Sequence, residues 1–106
     1  MNATIKPALA ELKWQLAALY GDRLRGVYVF GSFARNEEDE ESDIDILIVL
    51  DRIENYSHEI ARTNEIVSQI SLDCGRSISC VYAPEEKWKQ DQTMFFLNIR
   101  EEAIPA

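Results

Sequence analysis

Residues 24–50 read L-R-G-V-Y-V-F-G-S-F-A-R-N-E-E-D-E-E-S-D-I-D-I-L-I-V-L, and the way this stretch divides decides the fold. Leu24–Phe30 is rich in β-branched and aromatic residues and halts at Gly31-Ser32, which reads as a strand ending in a turn. Ile44–Leu50 alternates at first and then runs continuously apolar, the pattern of a central strand with one polar end. Ser42-Asp43-Ile44-Asp45 also fits the helix-opening template Ser/Thr-x-x-Asp/Glu. Ile44, Ile46, Ile48 and Val49, however, put four β-branched residues in six positions, so a strand is expected instead.

Between the two strands lies an acid run, with seven carboxylates from Glu37 to Asp45. Glu37 to Glu41 read as a solvated charged loop. Asp43 and Asp45 are different, because at period 2 their side chains leave the same face of the strand while Ile44 and Ile46 leave the other. Two carboxylates so placed repel unless a cation joins them, and Mg²⁺, which takes one or two carboxylates plus substrate phosphates, suits the pair. Gly31-Ser32 stands ten residues before Asp43. Glycine lets a ligand approach the backbone, and a serine opening a short helix offers hydroxyl and N–H groups to an anion. Arg35 would sit one turn into that helix, either contacting a phosphate or offsetting the neighbouring acids.

Working outward, Ile5, Leu9, Leu12, Leu16 and Leu19 recur at helical spacing and Gly21 follows, which predicts a helix over 3–20. Ile60, Val67, Ile70 and Cys74 predict a second helix over 56–74 with Gly75 as its stop. Ser77–Tyr82 reads as a third strand closed by Ala83-Pro84; Pro84 opens a segment with Trp88, and Met94–Ile104 reads as a last helix ended by Pro105. With the short helix at Ser32 the order is α-β-α-β-α-β-α, an α+β chain with a small mixed three-stranded sheet flanked by helices.

Composition bounds what such a chain does. The 106 residues carry 11 Lys+Arg against 19 Asp+Glu, a net charge of −8, and 46% are hydrophobic, enough for one domain over 1–106 with its own core. The acid excess is opposite to a nucleic-acid footprint, so no direct nucleic-acid binding is expected. The longest uncharged apolar run, Ile46 to Leu50, is far too short to span a membrane, and Cys74 and Cys80 match no zinc spacing; a reduced, cytoplasmic setting is expected. A chain of this length is not expected to hold a catalytic domain together with a separate substrate-binding domain.

The run Gly31-Ser32, ten residues, Asp43-x-Asp45, together with its flanking strands, resembles the signature of the polymerase-β-like nucleotidyltransferase superfamily. It is most similar to the minimal members, the MntA-like antitoxins encoded beside HEPN toxins. The resemblance covers most of the chain, the second half only in outline. It implies that Gly31, Ser32 and Arg35 bind the triphosphate of ATP or another NTP, and that Asp43 and Asp45 are the catalytic carboxylates holding one or two Mg²⁺ ions. It also implies adenylylation or neutralisation of a HEPN-like helical partner. Three positions depart from the family pattern. Asn36 stands in place of a glycine, a mild change since Asn tolerates the left-handed conformation. Phe33 replaces a polar or basic residue, so one phosphate contact is expected to be missing. The third strand carries Ser79 where many active relatives have a third carboxylate, and Asp73, Glu85, Glu86 or Asp91 could substitute only if the fold brings one in. That absence supports an alternative in which the chain is a catalytically degenerate nucleotide- or metal-binding module acting as a regulatory subunit. A small-molecule nucleotidyltransferase would need an acceptor domain from elsewhere.

Among other residues, His58, the single histidine, is expected at a surface or capping position early in its helix. Cys80 reads as a small core hydrophobe. Met94-Phe95-Phe96-Leu97 must turn some large side chains away from the core, giving either a fully packed terminal helix or a surface for a partner or for oligomerisation.

Overall fold

The structure is a computed structural model describing residues 2–106. Helix α1 (Lys6–Tyr20) has Pro7 in its first turn, where the missing N–H costs nothing, and ends at Gly21, whose φ of 56° suits glycine. A single 3₁₀ turn leads into β1 (Leu24–Phe30), and β2 (Ile44–Leu50) follows. The remaining elements are α2 (Tyr56–Cys74), β3 (Ile78–Pro84), α3 (Glu85–Gln90), α4 (Met94–Glu102) and β4 (Ile104–Pro105). Asn55 caps α2 by accepting the N–H of His58, and Gly75 closes it in the left-handed region at φ 71°.

The sheet runs β3-β2-β1-β4, with β1 antiparallel to β2 and to β4, and β2 parallel to β3 through the α2 crossover. The apolar run of β2 follows from its place in this order, since both of its faces are covered. Ile44, Ile46, Ile48 and Leu50 pack with Val27 and Val29 against Leu9, Leu12 and Leu16 of α1 and Ile70 of α2. Leu47 and Val49 face the other way, against Ala83, Phe96 and Ile99. Each fully buried side chain of this kind contributes about 1.5–3 kcal/mol.

The fold is α+β with a mixed sheet, as expected, but four details differ. The sheet has four strands rather than three: α4 stops at Glu102, Ala103 is extended, and Ile104 pairs with Val29 instead of continuing the helix. No helix follows Ser32; residues 31–36 form a turn. The first helix starts at Lys6, and Leu19 is exposed while Tyr20 takes the inward position. On α2, Ile60 is exposed and the buried positions are Glu59, Thr63 and Ile70. The inward carboxylate is tolerated because Tyr20 donates to Glu59 Oε1 at 2.9 Å and Arg23 to Oε2 at 3.1 Å. Among the described residues no helix is long and apolar enough to cross a membrane.

Candidate active site

The register of the two central strands builds the site. Phe30 lies opposite Asp45 in the β1–β2 pair, so the turn that follows β1 begins beside this carboxylate. Gly31 has φ 73°, and a Cβ added there would lie 2.1 Å from Asp45 Oδ2; the position requires glycine both for its backbone and for the acid packed on it. One turn is closed by the N–H of Arg35 on the Gly31 carbonyl (3.2 Å) and that of Glu37 on the Ser32 carbonyl (2.9 Å). Asn36 then leaves at φ 57°, the left-handed conformation that its sequence position suggests.

Ile44 and Ile46 are buried in the core, and Asp45 leaves the opposite face, half-buried; Asp43 is exposed immediately before the strand. Burial and then the negative charge of Asp43 raise the Asp45 pKa, with Glu102 adding to the rise and Arg35 opposing it. Gly31, Arg35, Asp43 and Asp45 are thus brought together at one end of the sheet, with Ser32 next to Gly31. Ser79 pairs with Asp45 on β3, at the position where many active relatives carry the third carboxylate, and is exposed. His58 and Cys80 lie elsewhere. His58 is exposed on α2, and burial alone pushes the Cys80 thiol up to about 12, an inert group.

Phe33, where a phosphate contact was expected to be missing, turns into the core. Its side chain is fully buried, with the Arg76 guanidinium 4.9 Å over the ring, so the position anchors the turn to the core and does not face a ligand. Arg76 also donates to the carbonyls of Asp39 (2.9 Å) and Ser42 (2.8 Å), which ties the acid loop between the turn and the strand. The loop is therefore less free than its charge alone suggests.

Glu102, at the end of α4, was missed by sequence reasoning. Its Oε2 accepts from Arg35 Nη1 at 2.7 Å and its Oε1 from the Gly31 N–H at 3.4 Å. That hydrogen bond, and the charges of Glu102 and Glu37, raise the Arg35 pKa. The same α4 face carries Phe95, edge-on to Phe30 with ring centroids 6.3 Å apart, while Met94, Phe95 and Leu97 remain exposed.

A divalent cation fits part of this donor set. Asp43 and Asp45 are hard oxygen donors, and a cation would relieve the repulsion that opposes ionisation of Asp45. Among the described residues no group of three or more His, Cys, Asp or Glu side chains is arranged to hold a metal ion, so further ligands would have to come from substrate or water.

The polymerase beta nucleotidyltransferase family matches residues 11–95. The chain is 33% identical over 96 residues to the inferred protein adenylyltransferase MJ0604 of Methanocaldococcus jannaschii, covering 90% of each. To a second one from that organism, MJ0141, it is 36% identical over 64 residues, 60% of this chain and 64% of the relative. Two solved structures share the fold. One is a crystal structure of a toxin-antitoxin with AMP-PNP (TM-score 0.62, 15% identity, 89% of this chain and 68% of that one). The other is a mutant of the toxin-antitoxin pair MntA-HpeT (TM-score 0.59, 13% identity, 88% and 67%). With the family match spanning most of its length and this relative matching nearly end to end, the chain belongs to the polymerase beta nucleotidyltransferase family.

Proposed function

We propose that the chain is a Mg²⁺-dependent adenylyltransferase that moves AMP from ATP onto a partner protein of the HEPN toxin type, as an antitoxin. The observation that carries the reading is the seating of the Asp45 carboxylate against Gly31, with Asp43 and Arg35 beside it. This arrangement puts anion-binding donors next to paired acids. Asp43, Asp45 and Glu102 against Arg35 leave the site with an excess of negative charge, so a bare triphosphate is repelled and a cation-bound one is not. When bound, Mg²⁺ neutralises the phosphate oxygens and favours departure of pyrophosphate. Asp43 and Asp45 would hold it; Ser32, through its hydroxyl and N–H, and Arg35 would orient the phosphates. The acceptor hydroxyl attacks the α-phosphorus in line and gives up its proton to water, forming the P–O bond to the partner as the bond to pyrophosphate breaks.

The adenylyltransferase names of the relatives support AMP as the transferred group, and the toxin-antitoxin neighbours support a protein partner. Exposed Met94, Phe95 and Leu97, leading to Phe30 beside the turn, offer that partner an apolar surface next to the site. The test is transfer of label from α-labelled ATP with Mg²⁺, with and without the protein encoded beside this one. Partner-dependent labelling is expected, and it should be lost in Asp43→Ala with Asp45→Ala. Labelling that survives the double variant overturns the site.

Ser79 opposite Asp45 favours a second reading, a degenerate nucleotide-binding regulatory subunit. In the same assay it is distinguished by binding without transfer, and by a large gain of transfer in Ser79→Asp.

A further inference from the structure

We propose that Glu102 is the positioning residue of the phosphate-binding turn: its carboxylate joins the Gly31 N–H to the Arg35 guanidinium and holds both in register for a triphosphate. The proposal rests on the nucleotide reading given above.

Three elements fix where this carboxylate lies. Glu102 is the last residue of α4; the next residue, Ala103, caps the helix with its N–H on the Ile99 carbonyl at 2.8 Å. Strand β4 then pairs Ile104 with Val29 and Pro105 with Tyr28, which locks the helix end to β1 just short of Gly31. The carboxylate therefore reaches Arg35 from a rigid base, and it is the more buried partner, its side chain 22% exposed against 45% for Arg35. Arg35 Nε meets a second acid, Glu37, at 3.4 Å. Nη1 is thus held by the Glu102 carboxylate and Nε lies near the exposed Glu37, while Nη2 has no partner among the described residues. A guanidinium tethered at Nη1 keeps its Nη2 hydrogens for an oxyanion at less entropic cost than a free side chain.

Two other roles fit less well. As a metal ligand Glu102 would have to join Asp43 and Asp45, but among the described residues no three such side chains are arranged to hold a metal ion, and its oxygens already face nitrogen donors. As a purely structural tie it would be redundant, because the backbone pairing of β4 and the buried side chains Phe96 and Ile99 already fasten α4 to the sheet.

The test uses the full chain and three measurements on wild type, Glu102→Ala and Glu102→Gln. These are calorimetric titration with Mg²⁺·AMP-PNP, titration with Mn²⁺ alone, and the ¹⁵N–¹H spectrum of the Gly31 amide and Arg35 Nε. In Glu102→Ala, nucleotide affinity is expected to fall on the order of tenfold, the scale of one charge-assisted hydrogen bond. The Gly31 and Arg35 signals should move, while Mn²⁺ affinity and melting temperature stay near wild type. Glu102→Gln, whose amide oxygen still accepts from one donor, should recover part of the loss. Unchanged nucleotide affinity overturns the proposal. Tighter affinity also overturns it, since Glu102 would then be competing with phosphate, and so does a loss of Mn²⁺ affinity, which would make it a metal ligand. If wild type itself fails to bind Mg²⁺·AMP-PNP, the nucleotide reading falls and this inference with it; if wild type binds and Glu102→Ala binds equally, only the role of Glu102 falls.

Discussion

Gly31 is constrained twice, by a positive φ and by a carboxylate oxygen in the space a Cβ would fill. Gly31→Ala must therefore strain the backbone and displace Asp45 together. The expected cost is about 2–4 kcal/mol in denaturant unfolding, combining left-handed strain with overpacking. Nucleotide binding should be lost even under conditions where the variant is folded; retention of both stability and binding would show that the turn can relax. Gly31, Ser32, Asp43 and Asp45 were legible in the sequence because the constraint on them is short-range: a strand, a turn and a second strand in one stretch. Glu102 was not, since it lies 67 positions from the arginine it engages and only the docking of α4 and β4 brings it there. The packing role of Phe33 was not legible for a related reason: a residue inside a tight turn faces inward or outward according to what the turn packs on, and Arg76 and the core decide that.

At the level of elements, strong periodicity and glycine stops placed β1, β2 and α2 at their observed ends, because end signals are local. Which face of α2 turns inward was less legible, since Glu59 is buried only by virtue of Tyr20 at the end of α1 and Arg23 before β1. The final strand was illegible too: two residues carry no periodicity, and their pairing with β1 is visible only in three dimensions. Burial opposes ionisation of Glu59, but the hydrogen bonds from Tyr20 and Arg23, with the charges of Arg23 and Arg62, outweigh it and hold its pKa below the ordinary glutamate value. A depressed carboxyl pKa contributes stability that is full above the unfolded-state value and disappears as pH falls through the folded-state one. Glu59→Gln should therefore lower unfolding stability at neutral pH by about 1–2 kcal/mol, the scale of charged hydrogen bonds to part-exposed arginines. The gap between variant and wild type should close as pH drops below the carboxylate range. A gap that is constant with pH would mean that packing, and not ionisation, sets the role of Glu59 at this junction.

Across the whole molecule the charge of −8 is distributed unevenly, with seven of nineteen acids between Glu37 and Asp45, at or beside the candidate site. Such a concentration costs stability through self-repulsion. Asp45 shows the cost most directly. Burial and Asp43, with Glu102, raise its pKa against the opposing Arg35, so the folded state takes up its proton more readily than the unfolded chain does. Ionised Asp45 therefore destabilises the fold at neutral pH, and stability attributable to it rises as pH falls from above the raised value toward the unfolded one. Asp45→Asn should melt a few degrees above wild type in EDTA. Millimolar Mg²⁺ should stabilise wild type by mass action at the carboxylate pair and leave the variant nearly unmoved. Thermal melts in EDTA, in MgCl₂ and in NaCl of matched ionic strength separate site occupancy from screening of the acid run, because only occupancy distinguishes the two chains. Equal Mg²⁺ stabilisation of wild type and Asp45→Asn would place the cation on the diffuse charge of the loop and remove Asp45 from the metal-binding role.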